Sequence, residues 1–283
     1  MELEQDWFRV WEDRPGIWVI EEPLHSEGVK CCLIIGTDRA ALIDTGMGVG
    51  DLKSLVRRRT DLPIIVLQSH AHNDHIGSAW QFDDVRIHPV EADALAAGCS
   101  AARLTDWFAP NELSGPLPSG FDPKGFSIPG RPANGLLNDG DCIELGGTTL
   151  QVMHLPGHSA GGLAFLDRAH RTLYSTDIVY LRQLYLLNPD SSVPDYVQSL
   201  SRLAAIVPDL DRLYPSHGPS PISPAVIPQM LAGMQAVQAG RQPDRVEMDS
   251  SMEGGREDLK TRSSLAFHDF GDFEILIGSD AIR

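Results

Sequence analysis

An α/β fold is predicted for this chain of 283 residues, and three observations carry the prediction. Short runs rich in β-branched residues alternate with segments of helical apolar spacing, the pattern of sheets covered by helices. Apolar content is 42%, an ordinary value that allows a substantial core. The histidines and aspartates that form recognisable groups fall directly after the predicted strands, where α/β sheets collect their functional loops.

Taken in order, residues 17–20 and 29–35 read as strands, and Gly36-Thr37-Asp38-Arg39 as a hairpin turn into a strand over 40–43. That strand runs out at Asp44-Thr45-Gly46. A helix is predicted over 51–60, a buried strand over 63–67, and a helix beginning at 76–82. Residues 85–88 form the next strand and 91–97 a helix stopped by Gly98, with His88 before Pro89 read as structural. Residues 99–135 change character: six prolines interleaved with glycines exclude any long regular element. A structureless stretch of that length is usually functional or disordered, and its aromatics argue against disorder. The expectation is an active-site lid in which Trp107 and Phe108 meet substrate; the blander alternative is an insertion packed on its own aromatics. Regular pattern resumes with a strand over 148–153, a hairpin over 162–166 and 172–175, and a helix over 193–207. A short strand over 212–214 ends at Pro215-Ser216-His217-Gly218, and a helix over 224–240 turns Met230 and Met234 to the core. Residues 241–262 read as an exposed polar linker, and 264–267 with 273–277 as a final pair of strands.

The formal net charge is −16, which repels polyanions and disfavours nucleic acid as substrate. The one basic run, Arg57-Arg58-Arg59, reads as a solvated helix face. Four cysteines without CxxC spacing predict no disulfide framework, and Cys31-Cys32 in an apolar strand behave as small hydrophobes. The acidic amino terminus is followed by no apolar signal region, and no run is long enough to span a bilayer. A cytoplasmic protein with no membrane partner is expected.

The densest chemistry lies in Ser69-His70-Ala71-His72-Asn73-Asp74-His75-Ile76-Gly77. Imidazole is the commonest protein ligand of zinc-like ions, and a carboxylate completes a nitrogen and oxygen donor set. His70 and His72, two apart on an extended loop, can face one ion together, whereas Asp74 and His75 follow across a turn and suit a second. The pattern is one for two metals.

His70-Ala71-His72-Asn73-Asp74-His75 resembles the signature of the metallo-β-lactamase-fold hydrolase superfamily. The resemblance implies an αββα four-layer sandwich, here a single domain over 1–283 with the 99–135 insertion. It also implies further ligands at later strand ends. Pro156-Gly157-His158 supplies His158 as the third histidine, Asp177 is the bridging aspartate, and His217 is the last ligand. Leu42-Ile43-Asp44-Thr45-Gly46 is similar to a second family motif, which implies that Asp44 supports the metal loop. His154, four residues before His158, takes a neighbouring, supporting role. His25 is the other histidine to test for a pocket position.

The implied cofactor is a pair of divalent ions, zinc foremost, with manganese or iron as alternatives. Asp177 between two cations reduces their repulsion, and a bridging water ionises near neutral pH. Asp74 would both ligate and orient the nucleophile. The implied reaction is hydrolysis of an ester or lactone bond in a small, partly apolar substrate. The alternatives are a thioesterase of glyoxalase II type, a phosphodiesterase, or a mononuclear iron persulfide dioxygenase. β-Lactamases of the superfamily generally carry cysteine or serine where Asp177 stands, which argues against that activity. Tyr180, three residues after Asp177, has a spacing similar to that of the lactonases, whose tyrosine hydrogen-bonds the substrate carbonyl; a tyrosine on a packed loop is the alternative. The leucine-rich segment 181–187, with Leu184 and Tyr185, is the expected acyl pocket. The partner expectation is a small-molecule substrate, with a homodimer as a possible assembly.

Overall fold

The computed structural model describes residues 2–248 and 264–278, and its chain divides into two compact units, Met1–Val152 and Met153–Arg283. In the first unit, seven strands form one sheet in sequence order: β1 (Arg9–Arg14), β2 (Ile17–Glu21), β3 (Lys30–Ile35), β4 (Ala40–Ile43), β5 (Ile64–Leu67), β6 (Val85–Ile87) and β7 (Gly135–Leu136). β1 to β4 pair antiparallel through short turns, whereas β4, β5, β6 and β7 are parallel neighbours. Parallel pairing requires crossovers. α1 (Leu52–Arg57) lies on the first, and α2 (Asn73–Ile76) and α3 (Ala92–Ala97) on those that follow. Asp51 caps α1 by accepting from the Ser54 amide at 3.0 Å. Gly98, at φ 63°, ends α3 in a conformation that glycine adopts without Cβ strain. The core of this unit packs Leu33, Leu42 and Val66 from the sheet against Leu52, Leu55, Val56 and Leu95 from the helices. Each such side chain contributes about 1.5–3 kcal/mol on burial. The unit closes with a hairpin between β8 (Cys142–Glu144) and β9 (Thr149–His154), within which the boundary falls.

In the second unit, β10 (Leu163–Asp167) and β11 (Thr172–Thr176) form the expected hairpin. β12 (Gln183–Leu186) follows, and then α4 (Val193–Ala204), capped by Ser192, whose hydroxyl accepts from the Asp195 amide at 3.3 Å. β13 (Arg212–Pro215) pairs parallel with β11, and α5 (Val226–Gln238) buries Met230 and Met234 as expected. β14 (Arg245–Met248), β15 (Ser264–Asp269) and β16 (Glu274–Gly278) complete a four-stranded sheet in the order β12-β16-β15-β14. Leu184 and Leu186 of β12 join Ile275 and Ile277 of β16 in the core of this unit.

Three elements differ from their sequence reading. The helix expected at 76–82 is instead α2, one turn inside the histidine motif, followed by a 3-10 turn over Ala79–Gln81. The amides of Gly77 and Ser78 do not continue it, because they donate to the Gly46 and Thr45 carbonyls at 2.7 and 3.2 Å. The polar stretch expected as a linker contains β14, which pairs antiparallel with β15 and places Arg245 over the Phe267 ring at 3.9 Å. Residues 249–263 of that stretch lie outside the described residues. The segment expected as an acyl pocket wall is largely strand β12, with Leu184 fully buried in the core and Tyr185 39% exposed. Among the described residues no helix is long and apolar enough to cross a membrane.

Candidate metal centre

In the first unit the histidine motif leaves β5 and is gripped by the Asp44–Gly48 loop that leaves β4. Asp44 is fully buried and in the left-handed region at φ 61°, a conformation that aspartate tolerates better than bulkier residues. Its Oδ1 accepts from the Ser69 amide at 2.7 Å, and its Oδ2 accepts from the Ser69 hydroxyl at 2.8 Å and from His75 Nδ1 at 2.9 Å. These contacts assign protons. A carboxylate only accepts, so His75 carries its hydrogen on Nδ1 and offers the Nε2 lone pair. The Ser69 hydroxyl spends its proton on Asp44 and accepts from His70 Nδ1 at 2.9 Å, which frees the Nε2 lone pair of His70 in the same way. That Nε2 lies 2.8 Å from Nδ1 of His72, and Nε2 of His75 lies 3.2 Å from Oδ2 of Asp74. Within each of the pairs His70 and His72, His70 and His75, and Asp74 and His75, a donor atom of one lies within 4.8 Å of a donor atom of the other.

The loop pairing is tight. Thr45 donates through its amide and its hydroxyl to the His75 carbonyl at 2.7 and 2.8 Å. A Cβ at Gly77 would collide with the carbonyl group of Met47, so only glycine allows this approach. Beneath the loop, the buried Glu22 carboxyl accepts from the Met47 amide at 2.8 Å and from the Trp7 indole. Burial pushes the Glu22 pKa up to about 7; the Asp74 charge adds to this, and the two donors oppose it.

In the second unit, His158, Asp177 and His217 converge. Asp177 Oδ2 lies 3.3 Å from His217 Nε2 and 3.5 Å from His158 Nε2. His158 Nδ1 donates to the Tyr185 carbonyl at 2.8 Å, which again leaves Nε2 as the donor atom. The loop before it is stapled to α4 and its approach. Arg202 donates to the His154 carbonyl at 2.7 Å, Ser199 to that of Pro156 at 2.6 Å, the Ser192 amide to that of Gly157 at 2.8 Å, and Ser191 to that of His158 at 2.8 Å. The His154 ring reaches the Ala160 carbonyl at 2.9 Å, so it bridges the loop that carries His158. Thr176, just before Asp177, is β-branched and yet at φ 49°, strain of about 1–3 kcal/mol in local terms. Its hydroxyl donates to the Leu163 carbonyl at 2.8 Å and holds the turn.

Tyr180 departs from its expected role. It is 1% exposed, its hydroxyl donates to the Gln183 carbonyl at 2.6 Å, and the same oxygen accepts from the Tyr185 amide at 3.3 Å. A phenol has one proton to give, and this one is spent on the backbone. Burial raises its pKa well above the usual value, with the Asp177 charge adding to it, so it stays protonated. Trp107 and Phe108 are half-buried against the core of the first unit. The Phe108 ring lies 5.2 Å from both Phe121 and Phe126 in edge geometry. His25 packs beside them and its Nε2 donates to the Trp107 carbonyl at 2.7 Å. Burial lowers the pKa of His25.

The donor set is imidazole nitrogen and carboxylate oxygen, which suits zinc, manganese or iron(II) and fits the implied divalent ions. The cysteines are free thiols, and burial raises the pKa of both Cys31 and Cys32. Ser69, Glu22, Ser191, Ser199 and Arg202 are supporting residues that motif reading does not find. Only Ser69, inside the motif, leaves a trace in the sequence.

Comparison with known proteins agrees with these observations. The metallo-β-lactamase superfamily profile matches residues 27–217. The acyl-coenzyme A thioesterase MBLAC2 of Gallus gallus is 33% identical over 225 residues, covering 75% of this chain and 81% of the relative. The protein of the same description from Homo sapiens is 31% identical over 228 residues, with the same coverage of 75% and 81%. A metallo-β-lactamase from Pontibacter korlensis shares the fold, with a TM-score of 0.60 at 19% identity, covering 81% of this chain and 99% of that one. The expected α/β class and fold therefore hold. The chain belongs to the metallo-β-lactamase superfamily and is a hydrolase of that superfamily.

Proposed function

We propose that this protein hydrolyses an acyl thioester of the acyl-coenzyme A kind at a centre holding two divalent ions. The observation that carries the thioester is the 33% identity to an acyl-coenzyme A thioesterase over 81% of that protein's length. It moves the thioester ahead of the oxygen ester or lactone that the motifs alone favour.

In this reading residues 1–283 act as a single domain, and the superfamily match over 27–217 includes every candidate ligand. His70, His72, Asp74, His75, His158, Asp177 and His217 are the residues that would hold the ions. Bound divalent ions supply a water acidified to near neutral pH and an electrophile for the acyl oxygen. The chain's own residues do the rest. Asp44, Ser69 and the Tyr185 carbonyl keep three ligand imidazoles in the tautomer that presents Nε2. Asp74 takes the proton of the attacking water on its carboxylate and passes it toward the departing thiolate. That balances the reaction: a carbon–sulfur bond breaks, a carbon–oxygen bond forms, and an acid and a thiol leave.

The test is metal analysis of protein purified without chelator, together with thiol release from a panel of acyl-coenzyme A thioesters beside matched lactones and esters. About two ions per chain, with thioester turnover the fastest, is the expected result. One iron per chain with thiol-dependent oxygen uptake, or turnover of lactones alone, would refute the proposal.

A further inference from the structure

The edge of β12 has an unusual occupant. β12 is an outer strand of its four-stranded sheet, and it pairs parallel with β16 from Gln183↔Glu274 to Leu186↔Ile277. An outer strand leaves a row of backbone groups on its far side that need partners. Here the partners are two side chains. The Gln183 carbonyl and the Tyr185 amide both bond the Tyr180 hydroxyl, at 2.6 and 3.3 Å, and the Tyr185 carbonyl accepts from His158 Nδ1 at 2.8 Å. Tyr180 is 1% exposed, and its ring lies 5.5 Å from that of His217.

We propose that Tyr180 is a positioning residue for the metal centre: its hydroxyl clamps the outer edge of β12, and that edge holds the imidazole of His158 with Nε2 presented to the ion. The inference rests on His158 being a ligand, as in the functional reading above, but needs no particular substrate. β16, at Glu274–Gly278, lies beyond the superfamily match that ends at residue 217. Strands outside that match thus back the support of a ligand inside it. The hydroxyl bridges two backbone groups two residues apart, which fixes the local pleat of β12 and so the direction of the Tyr185 carbonyl. Outer partners of a ligand histidine are typically worth about 10–100-fold in metal affinity.

Zinc affinity, read by competition with a chromophoric chelator in the absence of substrate, tests this on the full-length protein. Tyr180→Phe removes one oxygen and keeps the ring. We expect it to weaken binding of one ion by about 10-fold or more and to alter the visible absorption of the cobalt-substituted protein. Tyr180→Phe with wild-type affinity and an unaltered cobalt spectrum overturns the proposal, and a loss of turnover alone would return the hydroxyl to substrate. His158→Ala with undiminished zinc binding would instead refute the ligand assignment, and the clamp with it. A second reading needs no variant. Nitrogen NMR of histidine-labelled, zinc-loaded wild type should show His158 protonated at Nδ1; a proton on Nε2 refutes the arrangement.

Discussion

Glu22 makes the pH dependence of this fold calculable. It follows the end of β2, is 3% exposed, and accepts from the Met47 amide and the Trp7 indole beneath the loop that carries Asp44. Gly46 makes room for it, since a Cβ there would collide with Glu22 Oε1. With a pKa near 7 in the folded chain against an ordinary 4.5, the native state keeps a proton that the unfolded chain has released. The native state therefore binds more protons, and stability falls as pH rises. The contribution is complete below 4.5, is lost progressively up to about 7, and is flat beyond. At ~1.4 kcal/mol per pH unit the whole change is about 3 kcal/mol, of which about 2.5 lies between pH 5 and pH 8. The assay is urea unfolding of chelator-treated protein, because bound cations near Asp74 would favour the ionised carboxylate. Wild type and Glu22→Gln are compared at pH 5, 6, 7 and 8. Glutamine does not titrate, and its amide faces one of the two donors, so the variant is expected to be less stable at pH 5 by about 1–2 kcal/mol. The gap between the two should then shrink, or invert, by about 2.5 kcal/mol by pH 8. Parallel curves across that range would refute the reasoning.

Asp44→Asn places an amide donor among three donors, from Ser69 and His75. Metal affinity in a competition titration should fall about 10–100-fold with the fold retained. Gly77→Ala forces a methyl group into the Met47 carbonyl. A loss of stability of at least about 1–3 kcal/mol in urea unfolding is expected, with metal content falling alongside. Asp177→Ala should lower metal occupancy and hydrolysis together, measured by elemental analysis and thiol release on one preparation. Unchanged occupancy would refute the proposed bridging role.

Much of this fold is legible in the sequence. The strands at 17–20, 29–35, 40–43 and 63–67 follow from β-branched runs between turn residues, and each occurs close to its expected bounds. The elements that differ do so because their backbone groups are paired outside the local segment. The spacing predicts a helix from Ile76, yet Gly77 and Ser78 give their amides to the Asp44–Gly48 loop. The polar stretch with Arg245 gives no sign of a strand, because its order comes from pairing with the next strand, β15, which supplies the Phe267 ring.

The candidate site divides in the same way. Ligand identity is local chemistry: imidazoles and carboxylates at strand ends, in a fixed order, are written in the residues themselves. Which nitrogen each imidazole presents is not. It depends on Asp44 reaching His75 across 31 positions and on Tyr185 reaching His158 across 27. Tyr180 shows the consequence, since its spacing from Asp177 suggested a hydroxyl aimed at substrate and its burial commits that hydroxyl to the edge of a strand. Residue type and order set what the site can bind, because a donor atom keeps its chemistry wherever the chain places it. The direction of each donor came only with the tertiary structure, because a hydrogen bond joins groups by their position in space and sequence spacing does not encode that.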